Sequence, residues 1–143
     1  MGSTTVEFPD GVRVRGRGLR RPRPVEPEPD FGLYLGTSRL RRKHGSGLTW
    51  PHEWVTWPDF LLPLDPGTAR GQIKALHERA KTEIVEVACY GGAGRTGTVM
   101  ACLATLSGVP AEDAVAWVRE HYHERAVETP WQRRWVSWFA RQS

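Results

Sequence analysis

Apolar residues recur with two different periods along this chain, and the switches between them mark the elements. Val6 and Phe8, then Val12 and Val14, alternate with polar residues on either side of Pro9-Asp10-Gly11. That alternation around a turn sequence predicts a β-hairpin within residues 4–20, with Arg13 and Arg15 facing solvent. Phe31 to Leu35, closed by Gly36, reads as a further strand, as does Trp54-Val55-Thr56-Trp57, which Pro58 stops. The run Ile84-Val85-Glu86-Val87-Ala88 is β-branched and reads as a buried strand.

Helical spacing takes over elsewhere. Asp65 as N-cap and Pro66 at the first position open a helix whose Ala69, Ile73, Leu76 and Ala80 share one face, with His77 beside it. Thr98 to Leu106 is apolar nearly all round, which predicts a helix buried in a core and makes Cys102 a small core residue. Pro110 opens another helix that turns Ala114, Val115, Trp117, Val118 and Tyr122 inward; His121 and His123 near its end suit the helix dipole. Thr129 and Gln132 form a capping box at the start of the last helix, whose Trp131, Trp135, Trp138 and Phe139 make an aromatic stripe.

Two stretches fit neither period. Residues 21–30 alternate proline with charged residues, which precludes a helix and predicts an extended surface connector. Residues 37–49 carry Arg39, Arg41, Arg42, Lys43 and His44 before Gly45-Ser46-Gly47. They read as a solvated, mobile loop; the alternative is a basic loop beside a phosphate site.

Strands interleaved with helices place the chain in the α/β class, as a small mixed β-sheet flanked by helices and preceded by an N-terminal β-hairpin. Its 143 residues suffice for one domain, 1–143, with residues 1–30 as an N-terminal extension. No apolar run reaches membrane-spanning length and no apolar leader opens the chain, so a cytoplasmic protein with no membrane partner is expected, as a monomer. Two cysteines make no disulfide framework, and the two histidines near residue 122 share no spacing with further ligands, so no metal and no cofactor is expected. The net charge of +4 favours anionic ligands without choosing among phosphoprotein, nucleotide and RNA.

The chemistry concentrates between strand 84–88 and the helix after it, in Cys89-Tyr90-Gly91-Gly92-Ala93-Gly94-Arg95-Thr96-Gly97. Glycines let the backbone curl and bring its N–H groups close to a ligand, and a helix N-terminus adds a positive dipole end. Five residues between Cys89 and Arg95 can wrap a tetrahedral oxyanion, with the thiol below phosphorus and the planar guanidinium gripping two oxygens. Cations and a helix N-terminus favour thiolate over thiol, which makes such a cysteine a nucleophile. Tyr90, Gly91, Gly92, Ala93, Gly94 and Arg95 are therefore the predicted phosphate-binding residues.

The run C-x-x-G-x-G-R-T-G resembles the signature loop of the cysteine-dependent protein tyrosine phosphatase superfamily, on Cys89, Gly92, Gly94, Arg95, Thr96 and Gly97. Trp57-Pro58-Asp59, thirty residues before the cysteine, matches that family's general-acid loop. The resemblance implies a phosphatase-like fold with its site at the C-terminal end of strand 84–88. It also implies a metal-independent reaction through phosphocysteine: Cys89 as nucleophile, Arg95 as phosphate clamp, Asp59 as general acid and then base. Thr96 is the hydroxyl that stabilises the departing cysteine. Gln132 is either the residue that positions the hydrolytic water or simply the cap of its helix. The family usually has histidine before the cysteine, where this chain has Ala88. His52, Glu53 and Asp65 are fallback acids.

Phosphotyrosine protein is the default substrate that the resemblance implies. A small phosphate monoester, nucleotide or sugar phosphate, is the rival, and an RNA 5′-phosphate end is a further option. An inactive phosphate-binding module is the alternative from another class, although a binder has no need of Asp59.

Overall fold

In the computed structural model, which describes residues 3–142, the sheet is built around its most apolar strand. β1 (Thr4–Glu7) and β2 (Arg13–Gly18) form the hairpin; β3 (Phe31–Gly36), β4 (His52–Thr56) and β5 (Val85–Cys89) follow. The spatial order is β1-β2-β5-β3-β4, with β1 antiparallel to β2 and every other pairing parallel. All five residues of β5 are buried, as expected of a central strand in a sheet covered on both faces.

Side-chain parity divides those faces. Val85, Val87, Cys89, Leu33 and Leu35 join the larger core. Four helices contribute to it: α2 (Pro66–Arg79), α3 (Gly94–Leu106), α4 (Ala111–His121) and α5 (Pro130–Arg141). Eleven residues of α3, from Gly94 to Ala104, are buried, in line with its all-round apolar sequence. Asp65 caps α2 through Thr68 N–H, and Thr129 caps α5 through Gln132 N–H. The half-buried Trp117 and Tyr122 sit at the margin of this core, and Cys102 lies within it; burial pushes its thiol well up.

The opposite face carries a smaller cluster of Leu19, Tyr34, Leu48, Trp50 and Ala88, covered in part by the half-buried Leu40 and Trp54. At its centre is a buried polar network. Arg17 donates Nε to Glu86 Oε1 at 2.8 Å and Nη2 to Oε2 at 3.1 Å, Tyr34 donates to Glu86 Oε2 at 2.6 Å, and Trp50 Nε1 donates to the Tyr34 hydroxyl at 2.7 Å. Arg17 and Tyr34 are the register partners of Ala88 on its two neighbouring strands. Burial, and then the charge of Glu86, pushes the Tyr34 phenol far up, so it stays a donor. Glu86→Ala would leave the Arg17 guanidinium buried without its counter-charge. Such losses cost about 3–5 kcal/mol, so urea unfolding should show a drop of that order; a loss below about 1 kcal/mol would mean that water reaches the network.

Three sequence-based expectations need correcting. Arg13 is exposed as foreseen, and pairs with Glu7, but Arg15 is buried, with Glu26 of the Pro-rich segment at 3.6 Å. The reason is that β2 is an interior strand and the connector lies over its second face, so alternation there marks two covered faces. The hairpin is accordingly part of the sheet, through the pairing of β2 with β5. Residues 37–49 are not a loop: Ser38–His44 form a short helix, α1, followed by a 3₁₀ turn at Gly45–Gly47. Arg and Lys are good helix formers, and Leu40 anchors the helix against Gly36, where an added Cβ would lie 2.4 Å from a Leu40 methyl. Ile84 falls just before β5 and is 46% exposed, although its carbonyl accepts from Asp30 N–H at 2.7 Å.

Candidate active site

β5 delivers Cys89 to the C-terminal edge of the sheet, and residues 90–93 turn from it into α3. Gly92 has φ of +85°, a left-handed conformation that side chains resist, and a Cβ there would lie 2.6 Å from Gly18 N. A Cβ on Gly18 would in turn lie 2.6 Å from Gly91 O. β2 thus backs the loop through two glycines, and its ladder continues past the strand: Leu19 N–H donates to Cys89 O at 2.8 Å and Arg20 N–H to Tyr90 O at 3.0 Å. From the other side the Tyr122 hydroxyl donates to Gly92 O. The sequence pattern marked Tyr122 only as an inward residue of its helix; its hold on the loop depends on long-range packing that a period does not carry.

Within this frame Gly92 N–H points at Cys89 Sγ at 3.2 Å, a donor aimed at sulfur. Cys89 is buried, and the next residue, Tyr90, is 43% exposed. Arg95, in the first turn of α3, is buried; its Nη1 donates to Trp57 O at 2.9 Å and Leu35 O at 3.4 Å. Those carbonyls fix the guanidinium plane, while Nε keeps no hydrogen-bond partner. Asp59 Oδ1 stands 3.5 Å from that Nε, a charge contact too poorly aligned to be a hydrogen bond. The Thr96 hydroxyl is fully buried and also has no partner.

Asp59 rides on a turn that the start of α5 holds in place. Trp57 Nε1 donates to Leu61 O at 2.7 Å, Gln132 Nε2 to the same carbonyl at 3.1 Å, and Trp131 Nε1 to Phe60 O at 2.6 Å. Phe60 sits at φ +62°, a strained conformation for an aromatic residue that these bonds help to maintain. Gln132 is held at both ends of its fully buried amide: besides the helix cap made by its N–H, its Oε1 accepts from Glu128 N–H at 2.9 Å while Nε2 holds Leu61 O.

Asp59, Tyr90 and Arg95 line a cavity of about 470 Å³ together with Thr37, Arg39, Leu40 and Lys43 of the α1 segment. The basic stretch therefore borders the site, the alternative raised for it from sequence. Glu128 is a further neighbour that sequence reasoning missed: its carboxylate packs against Gly94, where an added Cβ would lie 1.9 Å from Oε1. Burial and then the charge of Asp59 push the Glu128 carboxyl pKa up. The fallback acids lie elsewhere: Asp65 is a helix cap, Glu53 accepts from Gln72, and the His52 ring sits on Trp50 O. A larger cavity, about 720 Å³, opens at the other end of β5 around Arg13, Arg15 and Ile84, away from the thiol. No group of three metal-ligating side chains occurs among the described residues, and no helix is long and apolar enough to cross a membrane.

A family model described as protein-tyrosine phosphatase matches residues 34–128. The chain belongs to the protein-tyrosine phosphatase family. Solved structures agree on the fold. Tk-PTP in its active form superposes with a TM-score of 0.74 at 22% identity, over 96% of this chain and 97% of that one. Kinase associated phosphatase, solved with serine in place of its catalytic cysteine, gives 0.74 at 14% identity over 99% and 97%. In sequence the chain is 47% identical over 57 residues to an uncharacterized protein of Methanocaldococcus jannaschii, a match covering 40% of this chain and 35% of that protein. It spans about a third of the length of the curated relatives it matches.

Proposed function

We propose that this phosphatase hydrolyses phosphate monoesters through a phosphocysteine on Cys89. The observation that carries the reading is the convergence of a sulfur receiving a loop N–H, a guanidinium with a free Nε edge, and a carboxylate beside it. Cys89 Sγ attacks phosphorus; the S–P bond forms as the ester P–O bond breaks, and Asp59 protonates the leaving oxygen. A water then attacks phosphorus, gives its proton to Asp59, and the thiolate departs, with the unpartnered Thr96 hydroxyl free to stabilise it. Arg95 and the N–H groups of residues 90–95 hold the equatorial oxygens through both steps. That positive charge comes from the protein itself, so the reaction asks for no metal. Gln132 serves here as a positioning residue, holding the Asp59 turn through Leu61 O.

Phosphotyrosine on a protein is the substrate that family membership supports, on a monomeric, cytoplasmic enzyme. A small phosphate monoester is the second reading, and the cationic side chains of Arg39 and Lys43 along the cavity favour it. The test is turnover of p-nitrophenyl phosphate with and without chelator and vanadate, followed by a panel of phosphotyrosine peptides, nucleotides and sugar phosphates. Chelator should leave the rate unchanged and vanadate should suppress it. Loss of activity on chelation would overturn the metal-independent mechanism, and binding without turnover would leave a phosphate-binding module.

A further inference from the structure

β3 and β5 are parallel neighbours, so their C-terminal ends lie at the same edge of the sheet. The chain leaves β3 at Gly36 and enters α1 at Ser38. This brings the first residues of α1 beside the loop that follows Cys89, and the cavity above Arg95 is shared between the two. From α1 it takes Arg39 and Lys43, four positions apart and hence on one helical face, where side chains meet within about 5–6 Å at Cβ. Both are exposed, and neither has a carboxylate partner among the described residues. α1 has no acidic residue in its first turn and Arg41, Arg42, Lys43 and His44 in its last. The lining carboxylate, Asp59, is already set against Arg95.

A single phosphate is served by the loop and Arg95 and does not call for this second pair. The cavity, about 470 Å³, also exceeds what one phosphate fills and lies within the roughly 300–1,000 Å³ of small-molecule sites. Resting on the reading that the loop binds the scissile phosphate, we propose that Arg39 and Lys43 hold a second phosphate group of the same substrate. A phosphate dianion suits them better than a carboxylate, because it offers three oxygens to a planar fork and a mobile ammonium together. The preferred substrate thus carries two phosphates: a compact bisphosphate such as a nucleoside or sugar bisphosphate, or a peptide with two phosphorylated residues.

The experiment compares substrates that differ only in the second phosphate. Adenosine 5′-monophosphate is set against adenosine 3′,5′-bisphosphate, glucose 6-phosphate against glucose 1,6-bisphosphate, and a singly against a doubly phosphorylated tyrosine peptide. Kd is measured on Cys89→Ser protein and kcat/KM on the active enzyme. In at least one pair the bisphosphate should bind about tenfold or more tightly, and which pair it is tells the sources apart. Arg39→Ala with Lys43→Ala should shrink that preference at least fivefold, whereas Arg41→Ala with Arg42→Ala should leave the ratio unchanged. Charge reversal at Lys43 alone (Lys43→Glu) should shrink it too. No preference in any pair, or a preference that survives the Arg39 and Lys43 substitutions, would overturn the subsite. Because Kd is read without turnover, that failure is distinct from a failure of the phosphocysteine mechanism, which inactivity of the parent enzyme on every monoester would reveal.

Discussion

Cys89→Ser is expected to stop turnover while leaving anion binding in place. The side chain changes by one atom, and what surrounds it stays: Gly92 with its positive φ, the Tyr122 tether on Gly92 O, and Arg95 pinned by two carbonyls. A serine hydroxyl lacks the nucleophilicity of a thiolate and is a poorer leaving group from phosphorus, so both steps suffer. Activity should fall at least about 10³-fold, roughly 4 kcal/mol in barrier, with vanadate or phosphate still bound by calorimetry. Activity within tenfold of the parent would rule out the covalent route. Loss of anion binding together with activity would point instead to a damaged loop, which thermal unfolding would reveal.

The second large effect belongs to Asp59. Asn at this position keeps the shape of the side chain but has no proton to deliver. A general acid matters in proportion to the leaving group's need for a proton. For an alkyl or phenyl phosphate the loss in kcat should be about 10²- to 10⁴-fold. For an activated aryl phosphate with a stable phenolate it should be clearly smaller, provided that phosphorylation of Cys89 limits the rate. Steady-state rates across leaving groups of graded acidity decide the matter. Equal losses along the series would reduce Asp59 to a turn residue and shift attention to Glu128, the other carboxylate beside Gly94.

How much of this was legible in the sequence depended on how local each feature is. The turn from Cys89 to Arg95 is closed by residues within seven positions, and its glycines, thiol and arginine announce it without outside help. β3, β4, β5 and the four larger helices were likewise written in short periods and caps. The failures share a different cause. Alternation along β2 states which residues lie on opposite faces, but whether a face is covered depends on Glu26 of the connector, eleven residues from Arg15, and on Glu86, sixty-nine residues from Arg17. α1 has a single apolar anchor in seven residues, too little for a helical period to show, and its charge imitates a solvated loop. At Gln132 the sequence offered a cap or a water-holding role; the amide's other contact, Leu61 O, comes from a turn seventy-one residues upstream.

The backing of the loop by β2 bears on what counts as the smallest working unit of this fold. The family match covers residues 34–128, yet two supports of the site stand outside it. One is β2, whose backbone meets the loop where Gly18 and Gly92 leave no room for a side chain. The other is the start of α5, which moors the turn bearing Asp59. A chain trimmed to the matched segment would keep thiol, guanidinium and acid in sequence while exposing one edge of β5 and freeing the acid turn. Under the proposed mechanism the geometry of the site is thus a property of the closed sheet and its last helix, and the signature residues are only its visible part.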